Sequence, residues 1–220
     1  MSLDSFSPYF GTSRNPFNYQ KVEQVDRDIT TQWLSLDEIT QQLNLFQDES
    51  QDSYLSSIEL ATRMAIEDYL GMSILPVTYE AYYGSFSDLS TSQVYLDLPQ
   101  VSQAYQSQAG VTINAVKYYN ADTPPVLTAL ASSNYFYDPT GNRVVVNGLP
   151  QVNNTSNANP VVVNFTCNAN PIAQYPVIKQ AGLMLLTHIY NNRSNTTVGA
   201  LQDIPFGVAT LLRLYKPLVM

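Results

Sequence analysis

His188, Cys167 and the adjacent carboxylate pairs Asp37/Glu38 and Glu67/Asp68 are the first places to look for chemistry in this chain. They would serve as a general base, a nucleophile or a carboxylate pair sharing a proton. None of these has the company it needs. One histidine and one cysteine cannot supply the four ligands of a structural zinc site. Any catalytic triad would depend on His188, and no G-x-S-x-G elbow presents a serine to it. The nine glycines are scattered singly, with no Walker or dinucleotide motif among them. Adjacent carboxylates on a helix point about 100° apart and do not converge on one substrate. His188 sits in the most apolar stretch of the chain, the place of a core or interface histidine. The reading is a non-enzyme, with no cofactor and no metal.

The elements around these residues are clearer than the chemistry. Ser35 and Glu38 have capping-box spacing, so a helix is expected over about 35–46. A second helix is expected over about 52–71, with Leu55, Ile58, Ala61, Ala65 and Tyr69 at helical spacing and Gly71 placed to end it in a left-handed conformation. From 73 to 167 the period changes to that of strands, expected at 74–83, 93–98, 111–119, 134–137, 143–146 and 161–167. The sequence PTGN at 139–142 is a hairpin turn in which Gly141 or Asn142 takes positive φ. Polar stretches at 100–110 and 151–159 read as loops. A third helix, about 176–191, opens with Pro176 at its first position. It is apolar around most of its circumference, so it is central in the protomer or sandwiched between subunits. A last short helix covers about 206–215. The fold class is therefore α+β, with helices from the N-terminal third and the C-terminus packed together and an antiparallel β-rich middle. Residues 1–33 show no steady period and read as an extended arm preceding a domain over 34–220.

Composition limits the partners. Hydrophobic residues make up 45% of the 220 residues, enough for a real core, while charged residues are only 13%, about half the usual share. Much of the remaining polarity is amide, hydroxyl and the phenol of 16 tyrosines, which suits either interfaces or strand faces. The net charge is −8, so the chain is not built to neutralise a DNA backbone. Residues 34–100 hold eleven acids and one base, Arg63, whereas 171–220 hold four bases and one acid, Asp203. That asymmetry fits head-to-tail packing of copies and fits an ordinary solvated face. The single cysteine excludes an intramolecular disulfide, and its β-like surroundings favour a buried thiol. The N-terminal residues lack the pattern of a secretory signal, and the longest apolar run, 181–186, is too short to span a bilayer.

An ordered set of segments carries a resemblance. LSLDE at 34–38 is followed by RMAIEDYLG at 63–71, ILP at 74–76, LP at 98–99 and INAVKYYN at 113–120. NYFYD at 134–138, RVVV at 143–146 and PVVVNFT at 160–166 come next. YPVIKQAGLMLLTHIYNNR at 175–193 and PFGVATLL at 205–212 close the series. From about residue 34 to the end this order resembles the head–tail connector (adaptor) proteins of tailed bacteriophages. The chain departs from that pattern in residues 1–33, in the long stretch 100–110, and in CNAN at 167–170, where a glycine is expected.

The resemblance implies a structural virion protein of the phage neck, made in the host cytoplasm. It would form a ring of twelve copies beneath the portal protein, on which other neck or tail proteins assemble. Genomic DNA would pass through without specific binding, and no membrane is involved. Within that expectation Glu59, Arg63, Glu67, Asp68, His188 and Arg193 are candidates for the contact between subunits. Phe206, Leu211, Leu212, Arg213, Tyr215, Lys216, Leu218 and Val219 are candidates for docking to the portal, because the apolar end of the chain lacks an evident intramolecular partner. The competing reading is a Tyr/Asn-rich binding or adhesion module of a phage tail or surface protein, which would be a stable monomer without portal affinity.

Overall fold

The computed structural model describes residues 18–45, 49–84, 93–99, 110–148, 152, 158–192 and 206–216. The chain forms two compact units, one of residues 28–75 and 169–220, the other of 1–27 and 76–168. Among the described residues there are four α-helices and two antiparallel sheets, the α+β architecture read from the sequence.

The first unit is helical. Helix α1 (Leu36–Leu43) opens on the expected capping box: the Glu38 amide donates to the Ser35 hydroxyl at 3.2 Å, and the Ser35 amide donates to the Glu38 carboxylate at 2.9 Å. Asn44, at φ 56°, ends it. Helix α2 (Asp52–Leu70) ends at Gly71, whose φ of 65° is the left-handed conformation its sequence position requires. Helix α3 (Pro176–Asn191) starts with Pro176 in its first turn and buries Ile178, Ala181, Gly182, Leu185 and Leu186. Helix α4 (Phe206–Leu212) continues into a 3₁₀ turn, Arg213–Tyr215. The core they share includes Leu55, Ile58, Ile66 and Leu70 of α2, the buried face of α3, and Val208 and Leu212 of α4. Trp33, the only tryptophan, lies in this core and donates its indole N–H to the Ala173 carbonyl at 3.0 Å. Its ring lies so close to α3 that a Cβ on Gly182 would sit 2.7 Å from it. That close approach is why position 182 has no side chain.

The second unit is built on β-strands, with one 3₁₀ turn at Ser132–Asn134. Its five-stranded sheet has the order β1 (Tyr19–Arg27), β2 (Val77–Tyr83), β8 (Val161–Cys167), β4 (Val111–Tyr119), β5 (Leu127–Ala129). Its three-stranded sheet has the order β3 (Gln93–Asp97), β7 (Arg143–Asn147), β6 (Tyr135–Asp138). Alternation along the strands sends Ala81, Tyr83, Val94, Leu96, Val144, Val146, Val161, Val163 and Phe165 into one core. The β6–β7 hairpin turns through Asn142 at φ 47°, whose side-chain amide donates to the carbonyls of Leu98 and Pro99 at 3.2 Å.

One sequence reading needs correction. Residues 1–17 lie outside the described residues, but Tyr19–Arg27 is not an arm awaiting a partner: it is ordered as β1, paired antiparallel with β2. Trp33 and Leu34, assigned to the arm and the domain edge, are buried in the helical core.

Candidate functional site

The six residues expected between subunits do not form one site. Glu59, Arg63 and Glu67 lie four residues apart on α2, so they form a single ridge. They are 1%, 0% and 5% exposed. Each is occupied within the helical unit. The Glu59 carboxylate accepts from the Trp33 and Leu34 amides at 3.0 and 3.2 Å. Arg63 donates from Nη1 to the Thr31 carbonyl at 2.6 Å and from Nη2 to the Asp28 carbonyl. Glu67 Oε1 accepts from the Ile74 and Leu75 amides at 2.7 and 3.3 Å. A buried backbone group without a partner is costly, and this ridge supplies partners to two segments that have no helix or sheet to do so. The ridge therefore holds the protomer together, and these three of the residues expected between subunits are buried inside it. An acid and a base on a helix surface give the same residue string as a buried ridge, so sequence alone pointed outward.

The electrostatics follow the geometry. Burial pushes the Glu59 carboxyl above its ordinary range, against the pull of the Leu34 and Trp33 amides and of Arg63. Asp28, whose carbonyl is one of Arg63's two acceptors, accepts through its carboxylate from the Thr30 and Thr31 amides at 2.9 Å each. Hydrogen bonds from Thr31 and Thr30 hold its carboxyl well below the usual range. Of the remaining candidates, Asp68 is exposed on α2. His188 is half-buried near the end of α3, with the Asn192 amide 3.3 Å from its Nδ1. Arg193 lies outside the described residues.

The C-terminal candidates divide in two. Leu212 is fully buried and belongs to the helical core, with Leu211 packed against that core. Arg213 and Lys216 are exposed. The Tyr215 ring meets Tyr175 edge-on at 6.0 Å, and Lys216 Nζ stands 5.1 Å from the centre of the Tyr69 ring. Leu218, Val219 and the Phe206 side chain lie outside the described residues. The structure adds three residues that sequence reasoning missed. Leu214 is 87% exposed, and Tyr175 and Val177 at the start of α3 are also exposed. Leu214 follows buried Leu212 by two positions, about 200° around a helix, and that spacing was the available signal.

The outward face of the five-stranded sheet is a polar ladder. Glu23 and Glu80 are directly opposite in register, and the Tyr82 hydroxyl lies between their carboxylates at 2.8 and 3.0 Å. Burial, then the two carboxylates, push the Tyr82 phenol up. Asn164 donates to Glu80 at 3.1 Å, and Asn114 donates to Asn164 and Thr166 at 2.7 and 2.9 Å. Such a ladder satisfies its own members and holds no reactive group. Cys167 is buried, and burial pushes its thiol up to about 12, so it is no thiolate nucleophile near neutral pH. Among the described residues, no three histidine, cysteine or acidic side chains are grouped to hold a metal ion, and no helix is long and apolar enough to cross a membrane.

No protein-family model and no curated protein sequence matches the chain. Solved structures do. A chain from the neck of an empty gene transfer agent (GTA) particle computed with C6 symmetry superimposes with a TM-score of 0.60 at 20% identity, covering 91% of this chain and 97% of that one. A chain from the neck of the native GTA particle computed with C12 symmetry gives a TM-score of 0.57 at 20% identity with the same coverage. A chain from the virion of the native particle gives 0.57 at 18% identity, again covering 91% and 97%. Over nearly its whole length this chain has the fold of protein chains in gene transfer agent particles and their necks, consistent with the head–tail connector resemblance of its sequence.

Proposed function

We propose that this chain is a structural, non-enzymatic protein of a phage-like virion neck, one subunit of a ring that joins the head to the tail beneath the portal. The observation that carries this reading is the match of the fold over 91% of the chain to chains from particle necks. The cyclic symmetry with which those necks were computed supports a ring, and a ring of unlike faces needs a heterologous contact. In this reading the buried α2 ridge takes no part in that contact. About a dozen copies at −8 each would surround passing DNA with roughly −100 charges, which repels phosphate and keeps the genome from sticking.

The portal-docking surface in this reading is the exposed end of the helical unit: Arg213, Leu214, Tyr215 and Lys216, joined by Tyr175 and Val177. Leu214 is the most exposed of the large hydrophobic residues described, and basic side chains flank it. The test is the mass of the purified chain across concentrations, alone and with the portal of the same virus. A ring, or a monomer that becomes one on the portal, supports the reading. A concentration-independent monomer that ignores the portal rejects it in favour of a monomeric binding module. Removal of residues 216–220 should leave the fold intact and abolish portal binding; retained binding would reject the assignment of this end.

A further inference from the structure

The three-stranded sheet carries an aromatic row that the core does not use. Tyr95, Val145 and Phe136 are register partners across β3, β7 and β6. Their sequence neighbours Val94, Leu96, Val144 and Val146 point into the core, so the row lies on the opposite face. Tyr95 is 43% and Phe136 51% exposed, with Val145 buried between them. The next row fixes one rim: the Arg143 guanidinium covers the Tyr95 ring at 4.5 Å while its Nε donates to Asp138 at 3.0 Å. This is an apolar strip of two aromatic rings and a valine, rimmed on one side by the Arg143–Asp138 ion pair, of the kind that accepts an extended segment.

What this strip accepts is indicated by the residue beside it. The Asn18 side-chain amide donates to the Tyr95 carbonyl at 2.6 Å and accepts from the Asp97 amide at 3.0 Å. It thus takes the place of a neighbouring strand's peptide group on the β3 edge. Asn18 is also the root of residues 1–17, which contain Phe6, Tyr9, Phe10 and Phe17, two prolines, and only Asp4 and Arg14 as charges. Aromatic, proline-containing and nearly uncharged, that segment matches the strip, and at roughly 3.3 Å per extended residue it reaches about 55 Å. Every copy therefore presents a strip and, rooted beside it, a segment suited to one. In a ring, that arrangement repeats from copy to copy as a heterologous contact.

We propose that the Tyr95–Val145–Phe136 row is the docking face for residues 1–17 of a neighbouring copy of this chain. This rests on the ring reading above.

The experiment mixes full-length chains carrying Phe10→Cys with chains carrying Phe136→Cys, oxidises them, and measures the assembly mass in parallel. The native Cys167 is buried and does not compete. A disulfide-linked pair is expected, at least tenfold more abundant than with Val126→Cys, an exposed control position, in place of Phe136→Cys. A Tyr95→Ser substitution in the Phe136→Cys chain should remove most of that yield. In the double variant, a ladder of linked chains is expected; an internal link within one chain would overturn the proposal, because the segment would then cover its own strip. Absence of links in assemblies with the mass of a ring would overturn it as well. If the mass stays that of a monomer, the ring reading fails by itself. The same oxidation then still decides the contact: a linked pair sustains it and no pair rejects it.

Discussion

In the helical unit, charge goes inside; in the β-rich unit it stays on faces and rims. The helical core is crossed by Glu59, Arg63 and Glu67, all buried and all bonded to backbone. The largest fully buried side chain of the β-rich unit is Phe165, stacked on Tyr79 at 5.7 Å. The reason lies in backbone polarity. Strands satisfy one another's amides and carbonyls through the ladder, so an all-β core can be apolar. Helices satisfy only themselves, and the segments 28–34 and 72–75 that run against α2 bring unpaired backbone groups into the core. A ridge of alternating acid, base and acid is one solution, and its cost is the desolvation of three charges.

The sharpest way to break this comparison is to remove the middle charge. Arg63→Ala leaves two half-buried carbonyls, those of Thr31 and Asp28, without this donor and two buried acids without their intervening cation. Breaking a buried charged set by removing one partner costs about 3–5 kcal/mol. Trp33 fluorescence follows the helical unit and labelling of Cys167 follows the β-rich unit, so the two cores can be read separately. The variant should lower the denaturant midpoint seen by Trp33 and leave the Cys167 labelling rate of the native protein unchanged. Phe165→Ala is the mirror experiment, with a cavity cost of about 3–5 kcal/mol and the reporters exchanged. If both variants move both reporters equally, the two cores act as one and the contrast between them has no energetic meaning.

A smaller effect sharpens the description of the helical core. Gly182→Ala places a methyl group 2.7 Å from the Trp33 ring. Overpacking of this kind costs about 1–3 kcal/mol, and the strain falls on Trp33 itself. A shift in native tryptophan emission should accompany the lost stability. A variant as stable as the parent with the same emission would mean that α3 and Trp33 separate at no cost.

The two units also differ in how far they can be read from sequence. The helix boundaries were legible because their signals are local: the Ser35–Glu38 capping box, Gly71 and Pro176 each specify an end without help from the rest of the chain. The inner strands of the sheets were legible from alternation and turns. The two strands that escaped, β1 and β5, are the edges of the five-stranded sheet. Residues 19–27 hold few apolar side chains, and the short β5 has only three residues; both are ordered by the strand they join. The candidate surfaces follow the same rule. Arg213, Tyr215 and Lys216 could be named as docking candidates from the sequence, whereas the Tyr95–Phe136 row exists only through strand register. The burial of the α2 ridge was not legible, because burial of a charge depends on distant backbone groups, at residues 28–34 and 74–75.

The finest test sets two glutamates of the same unit against each other by pH. Glu59 is buried, and its folded pKa lies above its unfolded value of about 4.3. The folded chain therefore holds that proton more tightly. The stability this confers is complete below the unfolded value and is lost as pH rises through the folded one. Glu38 is shifted down, chiefly by the Ser35 amide of its capping box and also by Lys179, whose Nζ lies 3.0 Å away. Its contribution is present above the unfolded value and is lost as pH falls through the folded one. Glutamine at either position keeps the acceptor and removes the titration. The stability of the parent minus that of Glu59→Gln should thus fall as pH is raised from acid to neutral, while the parent minus Glu38→Gln should rise over the acid part of that range. Urea unfolding followed by Trp33 at a series of pH values measures both. Two differences running in the same direction would show that burial does not govern Glu59, and that the ridge is wetter than its hydrogen bonds to Trp33 and Leu34 imply.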